Sequence, residues 1–221
     1  MRFLRNLFRR RAPEKAFTST DYWRDRYEVG GTSGAGSYGR LAAYKADVVN
    51  ALVRDTGIES VIEFGSGDGN QCSLLTVDVY TGVDISERVV KACRARFVDR
   101  KGWRFVSDAE FRVTPVRADL SMSLDVIYHL VEDQVFERYM TDLFGASSRF
   151  VLVYSSDHDA ATNAQHVRHR AYSSWVQSFA PEFALVKTFD HPFPMADGAD
   201  KKKTSFAAFK LFERAAQGKA Q

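Results

Sequence analysis

Glycines and acidic residues at two points of the chain have the spacing of a nucleoside-binding site. The apolar run Ser60–Phe64 is followed by Gly-Ser-Gly-Asp-Gly at 65–69, and a second apolar run ends at Asp84. Glycines let the backbone approach a ligand closely, and a helix after such a turn presents free N–H groups. An acid at the tip of the second strand can accept hydrogen bonds from a ribose diol. The pattern predicts a cofactor that carries a nucleoside.

The turn at 65–69 differs from the glycine motifs that bind phosphates. A dinucleotide fingerprint needs a third glycine where Asn70 stands, and Asp68 would repel a pyrophosphate. The sequence also lacks the G-x-x-x-x-G-K-[ST] pattern of nucleotide triphosphatases. These departures favour a nucleoside cofactor without a phosphate group.

Three further groups of polar residues have spacing that suits catalysis or binding. His129 follows the fourth apolar run, where a neutral imidazole can take a proton from a substrate hydroxyl, although a role in loop structure also explains it. Residues 157–159, Asp-His-Asp, can ligate a metal or act as acid and base, and an exposed polar loop is the simpler interpretation. His166, His169 and Arg170 have the spacing of one helix face, which would bind an anionic substrate or face solvent.

Alternating strands and helices are needed to position these residues. Helical periodicity is present over about 41–54 in the cap, and over about 70–78, 86–98, 132–146 and 164–179 in the main domain. The predicted strands are Ser60–Phe64, Tyr80–Val83, Trp103–Val106, Leu120–Leu124, Arg149–Tyr154, Phe183–Phe189 and Thr204–Glu213. This alternation predicts an α/β three-layer sandwich with a mostly parallel, seven-stranded sheet. The polar segment before the last strand contains Pro192 and Pro194 and is too broken for a crossover helix, so the last two strands form an antiparallel hairpin.

Three segments flank the main domain, which we place at 59–215. A basic arm covers 1–20, a cap covers 21–58, and a short tail covers 216–221. The cap includes Gly30–Gly39, a loop with five glycines in ten residues. Its backbone amides can cradle a phosphate, but we prefer a flap that closes over the cofactor.

Charge is concentrated in the arm. The net charge is +3, yet residues 1–11 carry five arginines and no acid, which leaves 26 basic and 28 acidic side chains in the rest. A slightly acidic body argues against a nucleic-acid groove, so we expect no nucleic-acid partner. As a helix, the arm would place apolar residues on one side and arginines on the other, which suits peripheral contact with an anionic membrane.

Composition indicates a protein of a reducing compartment without a membrane span. No apolar stretch approaches the roughly 18 residues that cross a bilayer. Cys72 and Cys93 are expected to be small buried hydrophobes rather than a disulfide. We therefore expect a cytoplasmic protein, with the arm at the inner face of the membrane.

Taken together, these segments resemble the class I S-adenosylmethionine-dependent methyltransferases, of a small bacterial type. The resemblance runs from about Ser60 to Glu213 and depends on the turn and acid described above, Ser107–Ala109, Asp119–Leu130 and the closing hairpin. It implies that 59–215 is a methyltransferase domain with S-adenosylmethionine as its cofactor. The cofactor-binding residues that it implies are Glu63, Gly65, Ser66, Gly67, Asp84, Ile85, Asp108, Ala109 and Ser123.

The resemblance also implies the reaction. We expect O-methylation of a small-molecule or sugar acceptor, with His129 as the catalytic base and no metal ligand. Such a base predicts a rate that rises with pH through the ordinary pKa of imidazole. The alternatives are N-methylation of a small amine and a cofactor-binding partner protein without catalysis. Methylation of DNA bases is not expected, because Ser-Leu-Asp-Val at 123–126 replaces the [DN]-P-P-[YF] element and no Pro-Cys follows.

Overall fold

A seven-stranded sheet forms the centre of the fold in a computed structural model that describes residues 16–196, 198, 200 and 203–215. The strands are β1 (Ser60–Phe64), β2 (Val79–Asp84), β3 (Trp103–Ser107), β4 (Ala118–Leu124), β5 (Ser147–Ser155), β6 (Ala160–Ala161), β7 (Arg168–His169), β8 (Phe183–Thr188) and β9 (Ala208–Arg214). The helices are α1 (Ser19–Glu28), α2 (Gly39–Thr56), α3 (Glu87–Arg96), α4 (Asp108–Val113), α5 (Asp133–Gly145) and α6 (Tyr172–Phe179).

The strand order confirms the predicted architecture. The sheet runs β3-β2-β1-β4-β5-β9-β8, and β1 to β5 are all parallel. β9 is antiparallel to both β5 and β8, which is the predicted closing hairpin. The order reverses beside β1, and ligands of open α/β sheets bind at the carboxyl ends of strands at such a point.

Side chains of the central strands alternate between two apolar layers. Val61 of β1 packs with Leu120 and Leu152 on one face, in the same cluster as Val49 of α2. Its neighbour Ile62 belongs to the cluster on the other face, with residues of α5 and α6. Both faces of a parallel sheet are covered by helices, so its strands are apolar throughout. The rigid sheet therefore fixes the positions of β1, β2 and β4, on which the site is built.

Two of the predicted helices are wrong. The stretch 70–78 contains only a 3-10 turn, Cys72–Leu74, because Asn50 of α2 holds it extended by bonding to Leu74 and Thr76. The stretch 164–179 is helical only from Tyr172, and its first part forms β7, which pairs with β6 in a separate two-stranded sheet. Two further helices, α1 and α4, were not predicted.

Candidate active site

The glycine turn after β1 has its own donors already engaged. The N–H groups of Gly65 and Ser66 both donate to the carbonyl oxygen of Val83, at 2.8 and 3.1 Å. Gly67 N–H donates to Asp84 Oδ2 at 2.9 Å, and Asp68 N–H donates to Ser33 Oγ at 2.9 Å. A phosphate cradle needs free N–H groups. The turn from 65 to 68 therefore suits a ligand without phosphate at this point, as the sequence predicts.

Glycine is needed at two positions of this turn because other groups approach the backbone closely. A Cβ on Gly65 would lie 2.4 Å from Val126 Cγ2, and one on Gly67 would lie 2.2 Å from Ser33 Oγ. Both residues also have left-handed φ angles, +79° and +58°. Larger residues would push away the turn that follows β4 and the loop before α2.

Asp84 ends β2 and points its carboxylate at the turn. Its Oδ2 accepts from Gly67, and its Oδ1 accepts from the N–H of Ser86 at 2.9 Å. Burial raises the pKa of Asp84 to about 6, against the lowering effect of these hydrogen bonds. Each carboxylate oxygen has a second lone pair, so Asp84 can still accept hydrogen bonds from a diol.

Glu63 lies buried in β1 beneath the same turn. The Tyr80 hydroxyl donates to its Oε2. Burial raises the pKa of Glu63 to about 7, and the Tyr80 hydrogen bond and the charge of Lys45 oppose this rise. Glu63 is therefore a carboxyl group that titrates near neutral pH.

A cavity of about 280 Å³ opens at the carboxyl ends of β1, β2 and β4. Seven of the predicted site residues line it: Glu63, Gly65, Ser66, Asp84, Ile85, Asp108 and His129. Gly67 lies behind this lining and holds Asp84. Ala109 follows Asp108 in α4. Ser123 is buried in β4, where it accepts from the hydroxyl of Tyr139 at 2.7 Å.

The cavity has apolar lining that suits a flat base. Phe64, Val83, Ile85 and Val135 are among its lining residues, and Asp108 lines it as well. Asp108 is the first residue of α4, and its Oδ1 lies 2.9 Å from the guanidinium of Arg112. A diol acceptor next to an apolar slot with an acid at its rim fits an adenosyl group. The residues present therefore fit the cofactor that the sequence predicts.

His129 is held as a neutral imidazole. It lies in a 3-10 turn after β4, and its Nδ1 is 2.8 Å from the carbonyl oxygen of His166. A carbonyl only accepts, so Nδ1 carries the proton and Nε2 keeps a free lone pair. No residue of the described chain hydrogen-bonds Nε2. Burial lowers the pKa of His129 to about 4, so the ring stays neutral at physiological pH and can accept a proton.

Helix α1 covers the cavity beside His129. Trp23 and Tyr27 line the cavity, and the Trp23 ring meets the His129 ring edge-on at a centroid distance of 4.8 Å. The helix is fixed at its start because Ser19 donates through its N–H and its hydroxyl to Glu132, at 2.8 and 2.5 Å. Sequence reasoning did not assign these aromatic residues, because apolar side chains at this spacing are ordinary in helix faces.

Asp125 is a site residue that sequence reasoning missed. It lines the cavity directly after β4 and has a left-handed φ of 62°, which among the described residues no other non-glycine residue has. Its Oδ2 lies 2.5 Å from the Nζ of Lys45, which is fully buried, and its Oδ1 accepts from the Tyr128 hydroxyl at 2.9 Å. Backbone strain of this kind persists where the surroundings impose it, often at functional sites. The position after the fourth strand was a usable signal for Asp125, whereas Lys45 gave none.

The glycine-rich loop 30–39 is fastened to the glycine turn. Asp68 Oδ2 accepts from the N–H of Ser33 and from the hydroxyl of Tyr38, both at 2.8 Å. Ser33 Oγ lies 3.0 Å from the hydroxyl of Tyr27, and Asn70 Nδ2 donates to the carbonyl of Ser37 at 2.7 Å. These bonds place the loop against the cavity, where Ser33 and Ser37 line it.

Residues 157–159 serve structural roles. Asp157 pairs with Lys210 of β9 and accepts from the N–H of Ser173 at 3.0 Å, and Asp159 accepts from the N–H of Ala171 at 3.1 Å. His158 stacks on His169 at 4.7 Å. In the parts of the chain that the structure describes, no group of three or more His, Cys, Asp or Glu side chains is placed to hold a metal ion.

The prediction that His166, His169 and Arg170 share a helix face is wrong, because all three precede α6. His169 lies in β7, and His166 stacks on Tyr22 at 4.7 Å. Arg170 is buried and donates to the carbonyl oxygens of Leu130 and Val131. Its guanidinium is thus used to hold the loop after His129 rather than to bind an anion.

Residues 1–11, the part of the arm that is predicted to contact a membrane, lie outside the described residues. The described part of the chain contains no helix that is long and apolar enough to cross a bilayer.

Comparisons with known proteins agree with this geometry. Residues 62–144 match the family model described as a methyltransferase domain. The N-methyltransferase NodS from Bradyrhizobium japonicum WM9, solved with S-adenosylhomocysteine, is 12% identical with a TM-score of 0.68 over 90% of this chain and 100% of that chain. Magnesium protoporphyrin IX methyltransferase from Synechocystis PCC 6803, solved with S-adenosylmethionine, is 14% identical with a TM-score of 0.64 over 91% of this chain and 100% of that chain. No curated protein sequence matches this chain.

Proposed function

We propose that the chain is a class I S-adenosylmethionine-dependent methyltransferase that methylates a neutral hydroxyl group of a small molecule or a sugar. The observation that carries this proposal is the hydrogen bond between His129 Nδ1 and the His166 carbonyl, inside the cavity that fits the cofactor. A hydroxyl is a poor nucleophile until it loses its proton. An imidazole with a free Nε2 in the site meets that need.

In this proposal the cofactor is held by residues of three strand ends. Asp84 would accept hydrogen bonds from the ribose, with Ile85 beside it, and Asp108 and Ala109 would contact the adenine. Glu63, Gly65 and Ser66 form the end that receives the amino acid part, while Gly67 and Ser123 act behind them by holding Asp84 and Tyr139. Bound S-adenosylmethionine supplies a methyl group that is already activated on a sulfonium.

The chain's own task is then to orient the acceptor, remove its proton and exclude water. His129 Nε2 would take the proton of the acceptor hydroxyl, and the bound cofactor would supply the methyl group to the acceptor oxygen. The imidazolium that forms is stabilised at Nδ1–H by the His166 carbonyl, and Asp125 lies close enough to favour the positive charge. Trp23 and Tyr27 of α1 cover this part of the cavity.

Charge at this end of the cavity supports a neutral acceptor. The cations that line the cavity are Arg24, Arg112 and Arg138, and Arg112 is paired with Asp108. Arg24 donates to the carbonyl of Ile85 on the cofactor side. A carboxylate or phosphate acceptor pairs best with an arginine or lysine that has no other partner, and two of these three arginines are already bonded within the protein.

Transfer of a labelled methyl group tests the proposal. The purified protein is incubated with methyl-labelled S-adenosylmethionine and fractions of a cell extract, and the carbon NMR shift of the labelled methyl group in each product distinguishes an ether from a methylated amine. Label on an ether oxygen supports the proposal. Label on nitrogen indicates the amine alternative, and cofactor binding without any transfer indicates a non-catalytic partner protein.

A further inference from the structure

Arg170 is buried against the loop that carries His129, and it is only 6% exposed. Its Nε donates to the carbonyl oxygen of Leu130 at 3.0 Å, and one terminal nitrogen donates to that of Val131 at 2.8 Å. The other terminal nitrogen lies 2.5 Å from Asp133 Oδ1. A guanidinium presents its donors in a rigid planar fork. Arg170 therefore holds the main chain directly after His129 in one arrangement.

The chain just before Arg170 also supplies the hydrogen-bond partner of the His129 ring. That partner is the carbonyl oxygen of His166, 2.8 Å from His129 Nδ1. The segment 166–170 thus bonds both the imidazole and the main chain that follows it, and its strand β7 is supported by pairing with β6. A shift of the loop relative to this segment would therefore change the distance between Nδ1 and its carbonyl partner.

We propose that Arg170 is a positioning residue for methyl transfer, which keeps His129 Nδ1 bonded to the His166 carbonyl and so leaves Nε2 free to accept a proton. The inference rests on the proposed function, in which His129 is the base. The tautomer of a histidine is set by the hydrogen bond that its other nitrogen makes. An imidazole released from the carbonyl adopts both tautomers, and the one protonated on Nε2 cannot take a proton there. Arg170 does not line the cavity, so it acts through the loop.

Nitrogen NMR of the His129 imidazole tests the positioning role without a methyl acceptor. The protein carries labelled histidine and is saturated with S-adenosylhomocysteine, and His129→Gln identifies the resonances. Arg170→Lys keeps the charge but loses the fork of donors. Asp133→Asn weakens the same group of bonds from a side chain that is 65% exposed, and it provides a second variant if Arg170→Lys folds poorly. Arg117→Lys is the control, because Arg117 also donates to a main-chain carbonyl, that of Ser147, but does not line the cavity.

In the wild type and in Arg117→Lys, we expect the proton on Nδ1 of His129 and a pKa near 4. In Arg170→Lys and Asp133→Asn the tautomer protonated on Nε2 should appear, and the pKa should rise toward the ordinary 6.5 because a loosened loop admits water.

Turnover supplies the second measurement, made with an extract fraction that yields labelled product. It should fall about 10- to 100-fold in Arg170→Lys, since a small misplacement of a catalytic group has an effect of that size, while affinity for S-adenosylhomocysteine stays unchanged. The wild-type tautomer and pKa of His129 in both variants overturn the inference, even if His129→Gln is inactive. Full turnover in His129→Gln overturns the proposed base and this inference with it.

Discussion

At the scale of single residues, the site depends on buried carboxyl groups whose pKa values are raised. The pKa of Asp84 is raised to about 6 and the pKa of Glu63 to about 7, in both cases because burial disfavours the charged carboxylate. Hydrogen bonds donated by a ribose diol, and the charge of an ammonium group, both favour the ionised forms. Cofactor binding and ionisation of these two groups are therefore coupled.

The first prediction concerns Asp84. Below about pH 6 the free protein must lose a proton from Asp84 before the carboxylate can accept from the ribose, so affinity for S-adenosylhomocysteine should fall as pH falls from 8 to 5. Asp84→Ala should cost roughly 1.5–3 kcal/mol of binding for each hydrogen bond lost. Calorimetry across this pH range measures both effects. The control is Asp78→Ala, an exposed acid just before β2. Equal affinity of wild type and Asp84→Ala at pH 8 contradicts the ribose role.

The second prediction concerns His129. Since His129 is the proposed base, the substitution His129→Gln should lower turnover by about 10²–10⁴-fold and leave the affinity for S-adenosylhomocysteine nearly unchanged. Burial moves the pKa of His129 from the ordinary 6.5 to about 4, so at saturating cofactor the rate should be level between pH 5.5 and 8. The rise in rate that the sequence predicts near the ordinary pKa of imidazole is therefore expected at lower pH.

The control for His129 is His158→Gln, which changes an exposed imidazole that stacks on His169 away from the cavity. Turnover of that variant should match the wild type. If His129→Gln also turns over at the wild-type rate, His129 has a structural role alone, in the loop after β4.

At the scale of elements, the loop 30–39 depends on a small set of side-chain hydrogen bonds to the glycine turn. Ser33 Oγ accepts from Asp68 N–H and pairs with the Tyr27 hydroxyl. These two bonds join the loop to both α1 and the turn. The free energy of opening the loop therefore depends on these local hydrogen bonds.

The third prediction follows from these bonds. Ser33→Ala removes both without altering the Asp68 carboxylate, so about 1–3 kcal/mol should be lost from the free energy of loop opening. Hydrogen exchange of the amides of residues 30–39 should accelerate correspondingly, while amides of the central strands stay protected. Ser178→Ala, which removes an exposed hydroxyl of α6, should leave exchange in the loop unchanged. Exchange in Ser33→Ala that equals the wild type means that other contacts hold the loop.

Elements set by local patterns were predictable, and elements set by distant contacts were not. The strands β1, β2 and β4 and the reversed β9 follow from apolar runs and turn residues near in sequence. The short helix α4 had a readable start, since Ser107 and Glu110 form a capping box. The segment after Asn70 is held by Asn50 of α2, and β7, besides its pairing with β6, is bonded through Arg168 to the distant Asp133. No sequence window contains both members of such pairs.

The residues of the site also fall into those that a local sequence pattern predicts and those that only the fold reveals. Glu63 and Asp84 sit at strand ends next to glycines, and this local pattern was sufficient to find them. Lys45 reaches the site only because α2 brings its Nζ to Asp125, after β4. Its role becomes visible when the fold places α2 there.

At the scale of the whole molecule, residues 1–11 of the arm carry five positive charges, and the rest of the chain has a net charge of −2. The fourth prediction is that the full chain co-sediments with vesicles that contain anionic lipid, because each arginine near such a surface contributes about 1 kcal/mol. A chain beginning at Ala12 should remain in the supernatant. Neutral vesicles and high salt should abolish binding of the full chain. Equal recovery of both chains in the pellet contradicts the idea.

The position of β9 has a consequence for synthesis of the protein on the ribosome. β8 is made before β9, yet among the described strands its only neighbour in the sheet is β9, which lies between it and β5. A nascent chain that has reached β8 therefore exposes the hydrogen-bonding edge of β5, and β8 has no strand to join. Exposed edges of this kind pair with other chains. The final strand thus closes the sheet in one late step, and premature termination before Ala208 is expected to yield aggregates rather than a smaller folded domain.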